Sequence, residues 1–146
     1  MQIRFGGDFT VKKTPEEVYE FLTDPNRFCP LLPDYKSMQK DDDKHFTVTL
    51  RVGISHIGGD AKVKMTLAEA EASRRAVYEG KGDVPGGTAA MTAGFELEKV
   101  AAGTKVVWKG QSQVSGRIAS LAGGLLEPLA KKNVQKLIDG LQAALG

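Results

Sequence analysis

Hydrophobic and polar residues alternate through most of the chain. Ile3, Phe5, Phe9 and Val11 share one side of an extended segment, with Gly7 at the missing position, which predicts a first strand over 3–11. From Tyr35 to about Ser115 the alternation hardly pauses. In HFTVTLRVGI, Phe46, Val48, Leu50, Val52 and Ile54 oppose Thr47, Thr49 and Arg51. In DAKVKMTLAEA, Ala61, Val63, Met65 and Leu67 oppose Lys62, Lys64 and Thr66. RRAVYEGKGD sets Ala76, Tyr78, Gly80 and Gly82 against Val77, Glu79 and Lys81. Met91, Ala93, Phe95 and Leu97 then oppose Glu96 and Glu98, and Thr104, Val106, Trp108, Gly110 and Ser112 oppose Lys105, Lys109 and Gln111. One apolar and one charged face per strand predicts an antiparallel sheet covered on one side only. Turns are expected where Gly and Asp cluster, at 41–44, 55–59, 84–87 and 101–104.

Helical signals flank this block. Thr14 as N-cap, Pro15 at the first helical position and Glu17 three residues after the cap open a short helix through Val18, Phe21 and Leu22. A second short helix starts at Asp24-Pro25 and is limited by Pro30 and Pro33. Residues 120–145, SLAGGLLEPLAKKNVQKLIDGLQAAL, read as a long helix interrupted by Gly123, Gly124 and Pro128. Such residues cost roughly 1 kcal/mol for each Gly and 3 for the Pro. Ile118, Leu121, Ala122, Leu125 and Leu129 make one apolar stripe; Ala130, Val134, Leu137, Leu141 and Leu145 make another, rotated by roughly 120–140°. The phase slip and the proline together predict two half-helices, 129–145 clamping the sheet and 116–127 a more mobile cover hinged at Gly123, Gly124 and Pro128.

The strand positions beneath that cover are small at Gly80, Gly82, Ala93, Gly110 and Ser112. Undersized residues facing a broken helix leave space, which predicts a hydrophobic cavity; glycines that let a coiled sheet bend are the competing reading, and both can hold together. The expected lining comes from three places: Phe28, Leu31, Leu32 and Tyr35 around the second short helix; Val52, Met65, Tyr78, Met91, Phe95 and Trp108 on the sheet; Leu121 and Leu125 on the movable half-helix. Tyr35, Tyr78 and Trp108 each join an apolar ring to one hydrogen-bonding tip that could orient a carbonyl or a head group. A ligand burying ~300 Å² of apolar surface at ~25 cal/mol/Å² gains about 7.5 kcal/mol before ordering costs, which suits exchange at micromolar affinity.

Composition narrows the classes further. The 146 residues fit one domain, 1–146, and are 41% hydrophobic and 26% charged. A net charge of +2 with dispersed lysines does not suggest nucleic acid. No run of 18 apolar residues exists, the N-terminus lacks signal-peptide regions, and the single cysteine, Cys29, suits a reducing compartment, so a cytoplasmic protein is expected. His45 and His56 are separated and lack metal-site spacing, so neither a metal nor a cofactor is expected. Glu69, Glu71, Glu79, Glu96 and Glu98 fall mainly on the outward face, and VPGG at 84–87 lacks the context of a phosphate loop. Few groups converge as a catalyst requires, and no enzyme is expected.

FGGDFTV followed by TPEEVYEFLTDPNRFCPLLPDY, then EGKGDVPGGTAAMTAGFELEKVAAGTKVVW and QSQVSGRIASLAGGLLEPLAKK, resembles in order and spacing the carbon monoxide dehydrogenase CoxG family of the START/Bet v 1-like (SRPBCC) superfamily. The resemblance implies an α+β helix-grip fold: a curved antiparallel sheet of about seven strands wrapped around a long kinked C-terminal helix, with two short helices after strand 1. It also implies a non-enzymatic accessory protein that handles a quinone- or lipid-like molecule beside a carbon monoxide dehydrogenase-type molybdenum hydroxylase, with peripheral contact at the inner face of the cell membrane. Some members carry a C-terminal extension that reaches the membrane; the sequence here ends at Gly146 without one, which favours the carrier role over recruitment. Two alternatives stay open. One is a cavity enzyme of the polyketide cyclase/dehydratase type, with Tyr35, Tyr78, Arg51 or Glu127 as its acid or base. The other is a ligand-free interaction module.

Overall fold

The computed structural model describes residues 1–54 and 57–146, apart from the side chains of 122 and 123. Strand β1 (Gln2–Val11) leads into α1 (Pro15–Leu22) and α2 (Pro25–Phe28), which a 3₁₀ turn (Cys29–Leu31) prolongs. Six strands follow: β2 (Tyr35–Lys40), β3 (His45–Ile54), β4 (Ile57–Glu71), β5 (Arg75–Val84), β6 (Gly87–Val100) and β7 (Gly103–Gly116), and α3 (Arg117–Leu145) ends the chain. They form one seven-stranded sheet in the order β1-β7-β6-β5-β4-β3-β2, every neighbour antiparallel. The turn expected at 55–59 lies partly outside the described residues, at Ser55 and His56.

Local chemistry sets the helix starts. Thr14 Oγ1 accepts the Glu17 amide at 3.3 Å, and Asp24 Oδ1 accepts that of Asn26 at 3.0 Å, each cap followed by a proline with its φ already set for a helix. The apolar alternation reappears as register. Phe46, Met65, Gly80, Met91 and Ser112 follow one another across five strands on the inner face.

Two of the inward glycines are demanded by close approach. A Cβ on Gly80 would meet Met65 Sδ at 2.5 Å and Met91 Cγ at 2.9 Å. One on Gly82 would run into the Lys62 carbonyl oxygen and lie 2.8 Å from Val63 Cα. The sheet is strongly curled. β1 and β3 stand five places apart, on the order of 24 Å in a flat sheet, yet Ile3 and Ile54 share one buried cluster with Ile118 and Leu126.

Helix α3 is continuous from Arg117 to Leu145, with Pro128 inside it, and does not divide into two halves. Its buried line runs through Ile118, Leu126, Leu141 and Leu145, with Leu129, Ala130, Asn133 and Leu137 partly buried between them. At about 100° per residue this line drifts around the axis by roughly half a turn from end to end. The choice of Leu126 over its neighbour Leu125 absorbs the phase slip that suggested a break. The C-terminal end is fastened to β1: the Lys13 amide donates to the Leu145 carbonyl at 3.2 Å, and Gln142 Nε2 to the Thr10 carbonyl at 3.4 Å. The N-terminal end has no side-chain cap and is held by the Ile118 amide donating to the Gly86 carbonyl at 2.9 Å. Among the described residues no helix is long and apolar enough to cross a membrane.

Two glycine substitutions should therefore move stability in opposite directions. Gly82→Ala forces two strand backbones apart and should cost about 1–3 kcal/mol in chemical denaturation. Gly124→Ala adds a methyl with nothing within 4 Å and should gain about 0.8–1 kcal/mol from helix propensity. A stabilised Gly82→Ala would contradict the close strand approach.

Candidate functional site

The curl of the sheet leaves a cleft of about 270 Å³ between α3 and the inner face. Its floor is Ile3 of β1, Val52 and Ile54 of β3, Val84 of β5, Ala89 of β6, and Ser112 and Val114 of β7; its roof is Ile118, Leu126, Leu129, Ala130 and Asn133 of α3. The walls are mostly apolar, with the Ser112 hydroxyl and the Asn133 amide as the polar groups of floor and roof. Arg51 and Asp34 stand at one end. There β2 begins at Tyr35, opposite Leu50, and the Asp34 carbonyl closes the ladder by accepting the Arg51 amide at 2.9 Å. Asp34 holds φ at 60°, a left-handed conformation that aspartate tolerates better than most residues. Asp60 lies 4.0 Å from the Arg51 guanidinium and accepts a 2.9 Å bond from Lys36, which holds its carboxyl below the usual carboxylate range.

Of the expected lining only Val52 borders this cleft. Phe28, Leu32, Tyr35, Met65, Tyr78 and Met91 pack with Cys29, Phe46 and Val48 into a filled core. The rings of Phe28, Phe46 and Tyr78 meet in a three-way contact with centroids 5.7–5.9 Å apart. Met65 and Met91 occupy the volume over Gly80 that the pattern suggested was empty. Leu31, Phe95 and Trp108 belong to a second packed cluster with Phe9, Val18, Leu137 and Leu141. Leu121 and Leu125 are a correction: they point to solvent at 63% and 55% exposure, because Ile118 and Leu126 take the inward positions of that turn. Of the hinge residues, Gly123 lies among those whose surroundings are not described, Gly124 is exposed, and Pro128 is exposed within the unbroken helix.

The sequence pattern missed Ser112 and Asn133 as lining. The signal for Asn133 was present: Leu129, Asn133, Leu137 and Leu141 recur every fourth residue, and the single polar member sits on a buried helical face.

Polar tips separate into used and unused. Tyr78 donates its hydroxyl to the Leu22 carbonyl at 2.7 Å, and burial pushes its pKa up. Trp108 Nε1 is buried without a partner among the described residues, its indole lying over Gly7. Cys29 is fully buried, and desolvation, with Asp24 adding to it, raises its thiol pKa to about 12. Among the described residues no three His, Cys, Asp or Glu side chains converge as a metal site would need. The outer sheet face carries a wider, open groove of about 700 Å³, but Lys64, Thr66, Glu79, Lys81, Gln111 and Gln113 make it a polar surface.

Tyr78→Phe should cost about 1–3 kcal/mol, since it strands the Leu22 carbonyl in the core. The Cys29 thiol should resist Ellman's reagent at pH 8 and react only as the protein opens. In the unfolded chain this thiol ionises near its ordinary pKa, about 8.5, so the native state binds more protons above that point. Stability should then fall as pH rises from there toward about 12. Cys29→Ala should flatten that slope; equal slopes in both proteins would argue against the raised thiol.

Comparisons with known proteins agree with this architecture. A search of curated proteins finds no match. Among solved structures, a conserved protein from Geobacillus kaustophilus superposes with a TM-score of 0.84 at 17% identity, covering 99% of this chain and 95% of that one. The Zhui aromatase/cyclase from Streptomyces sp. R1128 gives 0.73 at 14% identity, over 99% and 94% of the two chains. The Mll3558 protein from Rhizobium loti gives 0.70 at 15%, over 98% and 96%. At these identities the likeness concerns the fold, the helix-grip arrangement. Residues 7–146 match the profile of CoxG, the G component of carbon monoxide dehydrogenase, and the chain belongs to that family.

Proposed function

We propose that this protein is a non-enzymatic accessory carrier. It takes up one hydrophobic, quinone- or lipid-like molecule between α3 and the sheet and acts beside a carbon monoxide dehydrogenase-type molybdenum hydroxylase, in the cytoplasm or at the inner face of the cell membrane. The observation that carries the reading is the apolar cleft roofed by α3, with polar atoms at only a few points. Its 270 Å³ lies just below the roughly 300–1,000 Å³ of typical small-molecule sites. It suits a ring-sized group whose carbonyl or hydroxyl meets Ser112 or Asn133, with any longer tail leaving through the open side. Further along β7, the unpartnered Trp108 N–H offers a donor to an acceptor that reaches deeper. The roof over the cleft is the weakly capped half of α3, and Gly124 and Pro128 lower the cost of lifting it.

The fold shared with an aromatase/cyclase keeps a cyclase-type reading as second choice. Against it, the charged groups nearest the cleft, Asp34 and Arg51, stand exposed rather than buried where a tuned acid or base would be expected.

Organic extraction and native mass spectrometry of the purified protein should reveal a quinone or lipid, or the stripped protein should take one up. Ala130→Phe, which fills the roof, should reduce loading at least tenfold while thermal unfolding stays cooperative. Loading that ignores Ala130→Phe would remove the cleft from the mechanism. A protein that neither carries nor accepts such a molecule, yet binds a molybdenum hydroxylase, would be an interaction module instead.

A further inference from the structure

The solvent side of α3 carries a surface of its own. Leu121 and Leu125 stand one turn apart at 63% and 55% exposure, the two most exposed large hydrophobic side chains among the described residues. At about 100° per residue, Arg117, Lys132 and Lys136 fall within roughly 100° of the same line, and all three are exposed. Among the described residues no carboxylate pairs with these three cations. The Glu127–Lys131 pair, 3.3 Å apart, lies on the flank of the helix facing away from Leu125. Asp139, further toward the C-terminus, accepts from Gln135 at 2.9 Å. The result is an apolar pair bracketed by unpaired cations on a rigid helix.

We infer that this face of α3 docks on an anionic lipid bilayer, Leu121 and Leu125 entering the interface while Arg117, Lys132 and Lys136 contact the head groups. Charge decides for lipid, since uncompensated cations around an apolar wedge match an anionic membrane surface and would repel one another in a symmetric pairing of two copies. Area points the same way. Two leucines expose far less than the about 800 Å² per partner that a stable protein interface buries, whereas a bilayer needs only the wedge and the surrounding charge. The docking stands whether or not the cleft holds a ligand. The opposite side of the same turn, through Ile118 and Leu126, forms the roof of the cleft, so a docked protein would hold that roof against the membrane.

The test is co-sedimentation of the full, organically extracted chain with vesicles of phosphatidylcholine, either alone or with about 30 mol% phosphatidylglycerol to supply the anionic surface. Binding to the anionic vesicles should exceed that to neutral ones at least tenfold at low salt and fall steeply as salt is raised. Leu121→Gln with Leu125→Gln should cut anionic binding at least tenfold, and Lys132→Glu with Lys136→Glu at least fivefold. All four positions are exposed, so circular dichroism and thermal unfolding should stay unchanged. No anionic binding, or binding indifferent to the leucine pair, would overturn the docking surface. So would light scattering that shows a dimer which the leucine variant dissociates, because a second copy would then cover the face. Vesicle binding by a protein that accepts no quinone or lipid would leave this inference standing and sink the carrier reading alone.

Discussion

One helix has to cover the apolar face of seven strands, and it is too narrow to do so on a flat sheet. A helix with its side chains is about 10–12 Å across, whereas seven strands span on the order of 30 Å. The sheet therefore curls until β1 and β3 both reach under α3, and it needs residues that let strands approach and bend. Gly82 against the Lys62 carbonyl is the clearest such place. The remaining apolar face is covered separately: α1 helps close the cluster around Val106 and Leu141, while α2 and its 3₁₀ extension close the one around Phe46 and Tyr78. The cleft lies in the third region, under the first half of α3, where no further element is available to fill it.

This division explains what the sequence could and could not reveal. Alternation alone located the strands and their inward faces, because a half-covered antiparallel sheet writes its burial into every second residue. The caps at Thr14 and Asp24 were equally legible, since their chemistry is local. The location of the empty space was not legible. Small inward residues such as Gly80 and Gly82 marked sites of close strand approach and of methionine filling, and the pattern carries no record of which long side chain leans over which gap. The cleft is bordered instead by ordinary Ile and Val, whose exposure depends on how far the sheet curls. Adjacent leucines at 125 and 126 are likewise ambiguous by composition, and only the path of α3 over the sheet decides which one is buried.

The polar groups follow the same logic. Tyr78 was expected to present its hydroxyl to a ligand, but a backbone carbonyl in the last turn of α1 was within reach and took it. Trp108, whose indole lies over Gly7, has no such neighbour and keeps its N–H free of protein partners among the described residues. A buried donor of this kind costs free energy as it stands. Its retention beside the cleft strand is easier to understand where an acceptor arrives from outside the chain.

The two ends of α3 differ in how firmly they are held, and this bears on exchange. From Ala130 onward the helix is packed through Leu137, Ile138, Leu141 and Leu145 and bonded to β1. Before that point its described buried anchors are Ile118 and Leu126, eight residues apart, with one amide bond to Gly86. Local opening in a protein follows the free energy of the contacts it breaks. The first half of α3 breaks few, and Gly124 and Pro128 weaken its internal ladder further. The same segment carries the roof of the cleft on one side and the exposed leucines on the other. A force or surface that engages the outer side therefore acts on the part of the molecule that opens at the lowest cost, and it acts directly above the only apolar space the fold leaves between that helix and the sheet among the described residues.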